Sequence, residues 1–382
     1  MNLDSKDLSE DFQTNKIYLN NASVSLMPTQ SIEAMKEFLI SYNSKGPDSI
    51  NSESFVAEIL KKTRKIIAKI VNCQPEEIIL TQSTTYGINI VSNGLSFDSN
   101  SNIIIRGMSH EHHANFYPWI RLKDKLEIKN LSIDENGFFN FDDFNKLLDN
   151  NTKLVSLSHA LYNTGSILPI EKIGKILENK IPFFLDSAQT VGCIGNFDVK
   201  NLKCNFMAFN GSKWLCGPMG TGLFYCDRDY SYLLEPNSIG GESAILNEQS
   251  NLIFKELPEK FQTGFRNYVG MVGLESSANY LYRFGMENIR KKIMHLSNIF
   301  REELTKNHKI IVYGPKNTQE RTSIISFTID GHEPQTVVEK LEKQDIILAV
   351  REIYDKKIIR ASPHFFNTEA QILQVIDAIK RL

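Results

Sequence analysis

The sequence predicts an α/β fold in which a mostly parallel sheet is covered by helices on both faces. Short apolar runs alternate with segments of helical spacing, such as 53–72 and 170–179. Continuously apolar runs of this length are typical of strands buried on both faces, and their alternation with helices favours a parallel sheet. The predicted strands are 77–81, 102–106, 153–157, 181–185 and 206–209.

After about residue 262 the pattern changes to that of a smaller α+β unit. We therefore predict a large domain over 16–262, a small domain over 263–382 and an N-terminal arm over 1–15. The predicted elements of the small domain are a helical stretch over 270–306, apolar runs at Ile310–Tyr313 and Ser323–Ile329, a helix over 334–343, strands over 346–350 and 357–361, and a terminal helix.

Composition narrows the class of protein. Lys and Arg number 43 against 45 Asp and Glu, and the absence of a long basic run argues against nucleic-acid binding. The first residues, MNLDSKDLSEDF, are acidic and polar, which is unlike a signal peptide or a presequence. No apolar run approaches the roughly 20 residues that cross a membrane. The five cysteines have no regular spacing, so we expect a cytoplasmic protein without a disulfide framework.

Lys213 lies in the most informative segment, FNGSKWLCGPMGTG. It follows an apolar run in a Gly/Ser turn and has no charged neighbour from Asn210 to Tyr225. A desolvated lysine loses its proton more readily and becomes a nucleophile that can form a Schiff base. Taken alone, the segment is equally compatible with an ordinary lysine in a turn beside a hairpin.

Asp186 ends the apolar run IPFFLD, where small and polar residues follow. Ligands of open parallel sheets bind outside the carboxyl ends of the strands, so a carboxylate there is placed for a ligand. A lone Asp at this position would more often begin a turn or cap a helix.

The segment TQSTTYGIN, which includes Thr84 and Thr85, follows a third apolar run. Small hydroxyl residues at a helix start leave backbone N–H groups unpaired, and the helix dipole attracts an anion such as phosphate to that end. An ordinary Ser/Thr helix cap is the simpler alternative.

These three features, in this order, resemble the class V aminotransferase family of enzymes that use pyridoxal 5′-phosphate (PLP). The resemblance is to its branch of cysteine desulfurases, selenocysteine lyases and isopenicillin N epimerase-like proteins, and it covers nearly the whole chain. It implies PLP-dependent transferase fold type I, a homodimer, and an amino-acid substrate that reacts through an external aldimine. The motifs that carry it are YLNNASVSLMP, TQSTTYGIN, EHHANFYPW, FLDSAQ, FNGSKWLCGPMGTG, FQTGFRN and RASPHFFNT.

Carried over by motif, the resemblance implies a role for each candidate residue. Lys213 matches the Schiff-base lysine, and Asp186 matches the carboxylate that keeps the pyridine nitrogen protonated. His112 matches the residue whose imidazole stacks on the ring and moves protons. The remaining cofactor contacts are Gln189 at the phenolic oxygen, and Thr84, Thr85, Asn210 and Ser212 at the phosphate. On the substrate side, Arg360 matches the clamp for the α-carboxylate, Arg351 is expected over the same cleft, and Asn163 or Tyr162 is expected near the cofactor.

Two departures from the family pattern bear on the reaction. Cysteine desulfurases carry a nucleophilic cysteine on the loop between the residues that match Arg351 and Arg360, whereas EIYDKKII lies between them here. The other departure is Phe265, which stands where relatives usually have a Thr that reaches the phosphate of the neighbouring subunit.

We therefore predict transamination or C–S lyase chemistry without a persulfide cysteine. The alternatives are an epimerase, a cysteine desulfurase that uses a non-family cysteine, and a PLP-fold binding protein that has lost catalysis. A metal site at His110, His112 and His113 is not expected, because their spacing is not that of a zinc site.

Overall fold

A computed structural model describes residues 8–108, 110–178 and 180–382 of the chain. Part of the acidic N-terminal segment on which the signal-peptide prediction rests, residues 1–7, lies outside the described residues. The helices are α1 Ser9–Phe12, α2 Thr29–Ser44, α3 Ile50–Val71, α4 Thr84–Gly94, α5 Tyr117–Ile120, α6 Phe141–Leu147, α7 Ile170–Leu177, α8 Val199–Leu202, α9 Tyr268–Phe284, α10 Met286–Thr305, α11 Pro334–Glu342 and α12 Glu369–Lys380. The strands are β1 Ile17–Tyr18, β2 Ile78–Thr81, β3 Asn102–Arg106, β4 Glu127–Leu131, β5 Thr152–Ser158, β6 Phe183–Asp186, β7 Phe206–Asn210, β8 Gly222–Cys226, β9 Ala244–Leu246, β10 Leu252–Phe254, β11 Ile310–Tyr313, β12 Ile325–Ile329, β13 Ile346–Ile347, β14 Ala349–Ile353 and β15 Lys356–Ala361.

The centre of the fold is a seven-stranded sheet in the order β2-β8-β7-β6-β5-β3-β4. Neighbours from β7 through β4 pair in parallel, and only β8 runs opposite to the others. The predicted α/β class with a mostly parallel sheet is confirmed. Strand β4 was not predicted, because its sequence EIKNL lies at the sheet edge and lacks the apolar run of a central strand.

Alternate residues of the strands point into two separate hydrophobic cores, one on each face of the sheet. Ile78 and Leu80 of β2 belong to one core, and Ile79 belongs to the other. The first core is covered in part by α3, whose N-terminus is closed by a capping box between Ser49 and Ser52. This three-layer arrangement buries both faces, which explains why the central strands β6 and β7 are apolar up to their last residue.

The C-terminal part is built on a four-stranded antiparallel sheet in the order β11-β12-β15-β14. The helical stretch predicted over 270–306 is two helices, because Gly285 (φ 84°) separates α9 from α10. The strand predicted over 346–350 is likewise divided between β13 and β14. Strand β13 pairs in parallel with β1 in a separate two-stranded sheet, which ties Ile17–Tyr18 to the segment that leads into β14.

The core of the large sheet and the core of the small sheet each contain residues from both sides of residue 262. Helix α9 packs on α2 and α3, and its apolar residues Leu274 and Leu281 belong to the core of the large sheet. Ile17 and Leu19, near the N-terminus, belong to the core of the small sheet. The division into a large domain over 16–262, a small domain over 263–382 and an arm over 1–15 therefore remains a prediction.

Within the described part of the chain, no helix is both long and apolar enough to cross a membrane.

Candidate active site

A cavity of about 250 Å³ opens at the carboxyl ends of the central strands. Strands β5, β6 and β7 end here at Ser158, Asp186 and Asn210, and α4 begins here. This is the position at which open parallel sheets bind ligands. The cavity is lined by Ser83, Thr84, Thr85, His112, Ala114, Ser158, Ala160, Tyr162, Asp186, Ala188, Gln189, Asn210 and Lys213.

Lys213 reaches the cavity from the loop that joins β7 to β8. The loop is closed at its base by hydrogen bonds from Gly211 N to Thr221 O at 2.9 Å and from Gly217 N to Gly211 O at 2.7 Å. Burial lowers the pKa of Lys213 to about 8, and the charges of Arg360 and Arg351 act in the same direction, while Asp186 opposes them. The amine therefore loses its proton more readily than that of an ordinary lysine, as a nucleophile or base requires.

Asp186 faces the same cavity from the end of β6 and is only 5% exposed. Its Oδ1 accepts a hydrogen bond from Ala188 N at 2.9 Å. Burial raises the pKa of Asp186 to about 6, and the nearby charge of Glu111 adds to this effect. A buried carboxylate of this kind is stabilised by a cationic partner, which a protonated ring nitrogen would supply.

The N-terminus of α4 forms another wall of the cavity. Ser83 caps the helix by accepting a hydrogen bond from Tyr86 N at 3.1 Å, and Thr84 and Thr85 follow in its first turn. A side chain at Gly222 would come within 2.1 Å of Ser83 N, so only glycine allows β8 to start against this helix end. Thr84 Oγ1 is buried without a hydrogen-bond partner. The unpaired hydroxyl and the helix N-terminus together fit an anion.

Of the other predicted cofactor residues, two line the cavity and one does not. Asn210 lines the cavity, and its Oδ1 is buried without a partner. Gln189 also lines it, although its amide donates to Ala22 O at 2.9 Å and accepts from Trp214 Nε1 at 2.9 Å. Ser212 is buried beside Lys213 but does not line the cavity, and its carbonyl accepts from Ser25 N.

The His112 ring lines the cavity, and the residue is exposed to solvent. Its Nδ1 accepts a hydrogen bond from Ala114 N at 3.1 Å, so the neutral ring carries its proton on Nε2. Partial removal from water by the surrounding protein lowers the pKa of His112 to about 4, and the positive charges of Lys213 and other nearby groups contribute to this shift. The ring packs edge-on against Tyr162, with 5.1 Å between centroids.

Arg360 and Arg351 approach from the small sheet, and neither is among the residues that line the cavity, although the charge of each lowers the pKa of Lys213. Arg360 is 1% exposed and donates through Nη1 to Tyr162 O at 2.7 Å. Both guanidinium groups donate to Ser23 Oγ, on the loop after β1. Burial lowers the pKa of Arg360 well below its usual range, and the charge of Arg351 lowers it further. A planar fork held in this way suits a carboxylate.

The structure distinguishes between Tyr162 and Asn163, which the sequence left open. Tyr162 lines the cavity, whereas Asn163 is fully buried outside it. Asn163 donates to Glu352 O at 3.0 Å, and its Oδ1 lies 3.2 Å from His110 Nδ1. The Asn163 amide therefore joins the two sheets, and its predicted contact with a substrate remains a prediction.

The buried ion pair that contacts the backbone of His112 was not predicted from the sequence. Glu111 and Arg106 form a buried ion pair, and Glu111 also accepts from His112 N at 3.0 Å. Glu111 belongs to the EHH run that drew attention to the histidines, and its charge was the available signal. Asn20 and Ser23 lie in the motif YLNNASVSLMP, but their contacts with Arg360 and Arg351 could not be predicted from it, because the partners are 328 to 340 positions apart in the chain.

Two other observations concern further places at which a ligand or a metal ion could bind. A larger cleft of about 990 Å³ lies between α7, α8 and α10, and it is lined by side chains of both charges. The described residues contain no group of three or more His, Cys, Asp or Glu side chains that could hold a metal ion.

The residues around the small cavity fit PLP. A lysine that loses its proton readily, a buried carboxylate, and a helix N-terminus with the unpaired hydroxyl of Thr84 match an aldehyde, a ring nitrogen and a phosphate. These parts, on a mostly parallel sheet with a smaller C-terminal sheet, define the class of fold type I PLP-dependent enzymes.

The sequence profile described as Aminotransferase class-V matches residues 17–375, and the chain belongs to this family. PLP is its cofactor, and it is an enzyme of the cysteine desulfurase-like type.

Two curated relatives illustrate the similarity. A probable cysteine desulfurase of Methanothermobacter thermautotrophicus is 29% identical over 93% of this chain and 92% of its own length. A cysteine desulfurase of Haloferax volcanii is 27% identical over 97% of this chain and 90% of its own.

Solved structures show the same fold. The apo cysteine desulfurase of Thermococcus onnurineus superposes with a TM-score of 0.90 at 27% identity, covering 99% of this chain and 97% of that one. The cystine C–S lyase C-DES, solved with cysteine persulfide, has a TM-score of 0.88 at 24% identity, covering 95% and 97%, and this likeness concerns the fold alone.

Proposed function

We propose that this enzyme cleaves the C–S bond of a cysteine-type amino acid by β-elimination, without forming a persulfide on the protein. The observation that carries the proposal is the connection between Arg351 and Arg360. Ile353 pairs with Lys356, so strands β14 and β15 are joined by a tight turn at Tyr354 and Asp355. The sequence between the two arginines contains no cysteine, and this turn leaves no loop on which one could reach the cavity.

The five cysteines elsewhere support the same proposal. All are free thiols, and four of them are buried. Cys216 is nearest in sequence to Lys213, but its Sγ faces Ser25 Oγ at 3.4 Å and His364 Nε2 at 3.5 Å. Burial raises the pKa of Cys216 to about 12, which keeps it a thiol rather than a nucleophilic thiolate.

Each site residue then has a proposed role. Lys213 holds the cofactor, Asp186 pairs with its ring nitrogen, and Gln189 contacts its phenolic oxygen. Thr84, Thr85 and Asn210 hold its phosphate, with Ser212 as a weaker candidate because its side chain lies outside the cavity. When bound, PLP supplies an electron sink for the pair released at the substrate Cα.

On the substrate side, we propose that Arg360 binds the α-carboxylate and the unprotonated Lys213 amine takes the Cα proton. The Cβ–S bond then breaks and its electron pair leaves with the sulfur. We propose the Nε2–H of His112 and the hydroxyl of Tyr162, which both line the cavity, as proton donors to the departing sulfur.

The test is a product analysis with the holoenzyme and L-cysteine. We expect pyruvate and sulfide in equal amounts, no persulfide on the protein, and turnover by Cys216→Ala within twofold of the parent. Lys213→Ala should abolish both products. Release of alanine with a protein-bound persulfide would overturn the proposal, and formation of a keto acid from the intact side chain would indicate transamination instead.

The second candidate is a cysteine desulfurase that uses a cysteine outside the Arg351–Arg360 segment. The curated relatives, which are cysteine desulfurases by name and match over 93% or more of this chain, favour it. Mass spectrometry of the protein after reaction with cysteine distinguishes the two candidates, because only this one leaves an added sulfur on one of the five cysteines.

We also propose a homodimer, in which exposed apolar side chains are covered by a second copy. The β9–β10 hairpin exposes Ile245 (57%) and Ile253 (46%), which are paired and share one face, and Phe265 is 77% exposed. Exposed apolar side chains grouped on one face are typical of an interface in water. Light scattering should give twice the chain mass, and Ile245→Asp with Ile253→Asp should give a monomer. Leu373→Asp, on α12, is the control that should leave the mass unchanged.

The absence of disulfides among the five cysteines supports the further proposal of a reducing compartment such as the cytoplasm.

A further inference from the structure

Two guanidinium groups lie side by side on one face of the small sheet. In the β14–β15 pairing, Ala349 is opposite Arg360 and Arg351 is opposite Ile358. Residues opposite each other in an antiparallel pair share a face, so Arg351 and Arg360 are diagonal neighbours on the same face. The tight turn at Tyr354 and Asp355 fixes this register.

Both groups are held by neutral acceptors. Arg360 donates to Tyr162 O, Asn20 Oδ1 and Ser23 Oγ, and its Nε has no partner. Arg351 donates to Val350 O and to the same Ser23 Oγ. A single hydroxyl therefore contacts both guanidinium groups, which brings two positive charges together.

No carboxylate balances these charges in the part of the chain that the structure describes. Neither arginine has an acidic oxygen within 4.0 Å there, and each lowers the pKa of Lys213 and of His112 at the cavity. Like charges that are partly removed from water repel each other strongly unless an anion joins them. One substrate carboxylate neutralises one of the two guanidinium groups and leaves the other unpaired.

We propose that Arg351 forms a second anion subsite, so that the substrate carries a negatively charged group on its β-carbon in addition to its α-carboxylate. This inference rests on the proposed function only in assigning the α-carboxylate to Arg360. A β-substituent that is a thiolate, a sulfinate or a carboxylate has the required charge. In C–S cleavage the electron pair of the Cβ–S bond leaves with the sulfur, and a guanidinium at this subsite would stabilise the negative charge that grows there.

The test compares two carboxylates of nearly equal size that bind without turnover. Succinate has a carboxylate at each end of a two-carbon spacer, whereas butyrate replaces one carboxylate by a methyl group. Isothermal titration of the holoenzyme should show succinate bound at least about tenfold more tightly than butyrate, because one charged hydrogen-bonded pair is added.

Three variants test whether Arg351 causes the preference for succinate over butyrate. Arg351→Gln should weaken succinate about tenfold and leave butyrate within twofold, whereas Arg360→Gln should weaken both ligands. Lys357→Gln removes an exposed cation from the same hairpin and should change neither. Equal binding of the two ligands by the parent enzyme overturns the proposal. Equal weakening of both ligands in Arg351→Gln also overturns it, since Arg351 would then only position Arg360.

These titrations need no catalysis, so their failure is distinguishable from failure of the proposed function. An enzyme that forms pyruvate and sulfide but binds both ligands equally refutes the second subsite alone. An enzyme that prefers succinate but forms alanine and a protein persulfide refutes β-elimination alone.

Discussion

Arg106 and Glu111 form an ion pair that is closed off from solvent beneath His112, with Nη2 3.3 Å from Oε2 and side chains 0% and 1% exposed. Glu111 also accepts from the backbone N–H groups of His112 at 3.0 Å and Ser158 at 3.3 Å, and from the Ser158 hydroxyl. The pair thus ties the segment before His112 to the end of β5, and it determines where the imidazole stands over the cavity.

Removing one partner of this pair should destabilise the protein severely. Arg106→Met leaves the Glu111 carboxylate buried without a cation, and we expect a loss of about 3–5 kcal/mol in the free energy of unfolding. Urea denaturation of the apoenzyme measures it. Lys380→Met, which breaks an exposed pair with Glu303, is the control and should cost at most about 1 kcal/mol. A loss of the same size in both variants would contradict the importance assigned to burial.

Two buried histidines should make the protein less stable in mild acid. Burial lowers the pKa values of His159 and His364 to about 3, from an ordinary value near 6.5. Between these values the unfolded chain binds more protons than the native one, so the free energy of unfolding falls as the pH falls below about 6.5. Asp186 acts in the opposite direction between about pH 6 and 4, because its pKa is raised.

The histidine contribution can be isolated with His159→Leu, because this ring is 6% exposed and its Nδ1 has no partner. Between pH 6.5 and 5 one such histidine contributes about 2 kcal/mol to the loss of stability. The variant should therefore lose roughly that much less than the parent between pH 7 and 5, as measured by denaturation at both values. The exposed His308→Gln should keep the parent slope, and an unchanged slope in His159→Leu would refute the prediction.

Lys213 should react as a nucleophile at lower pH than an ordinary lysine. Its pKa of about 8 lies well below the usual value of about 10.4. Trapping the adduct of PLP with apoenzyme by borohydride, followed by peptide mass spectrometry, should give a midpoint of labelling near pH 8. Asp186→Asn should move the midpoint to lower pH, because the carboxylate charge raises the pKa of the lysine. Labelling that rises only near pH 10 would show that the amine is not desolvated.

The unpaired hydroxyl of Thr84 should contribute to cofactor affinity. Thr84→Val keeps the shape of the side chain but removes the hydrogen bond to an anion, and we expect PLP to bind about tenfold more weakly. Ser92 offers a matched control, because its Oγ is also buried without a partner and lies two turns further along α4. Ser92→Ala should leave the dissociation constant for PLP within twofold. Equal effects of the two substitutions would indicate a helix-stability effect rather than phosphate binding.

The sequence was sufficient for the central strands, because a strand buried on both faces needs a continuous apolar run whatever its neighbours are. It failed for β4, where an edge position removes that requirement, and for the break between α9 and α10. Gly285 was visible in the sequence, but its positive φ (84°) depends on tertiary packing, in which α9 lies on the core of the large sheet and α10 extends from that core to the core of the small sheet.

For the site, local motifs identified the residues whose role depends on the end of one strand or one helix. Lys213, Asp186 and Thr84 each follow a recognisable apolar run, and parallel strands bring such ends to one edge of the sheet. Tyr162 and Asn163 could not be separated in this way, since adjacent residues in a loop point wherever tertiary contacts direct them.

The amino-acid sequence by itself determined the fold class, the family and the residues at the strand ends, because each depends on short-range pattern. Only the tertiary structure decided that Arg351 and Arg360 share a face, that Ser23 lies between them and that Glu111 is buried with Arg106. These relationships join segments as far apart as β1 and β15, and register and burial are properties of packed pairs rather than of any single stretch of chain.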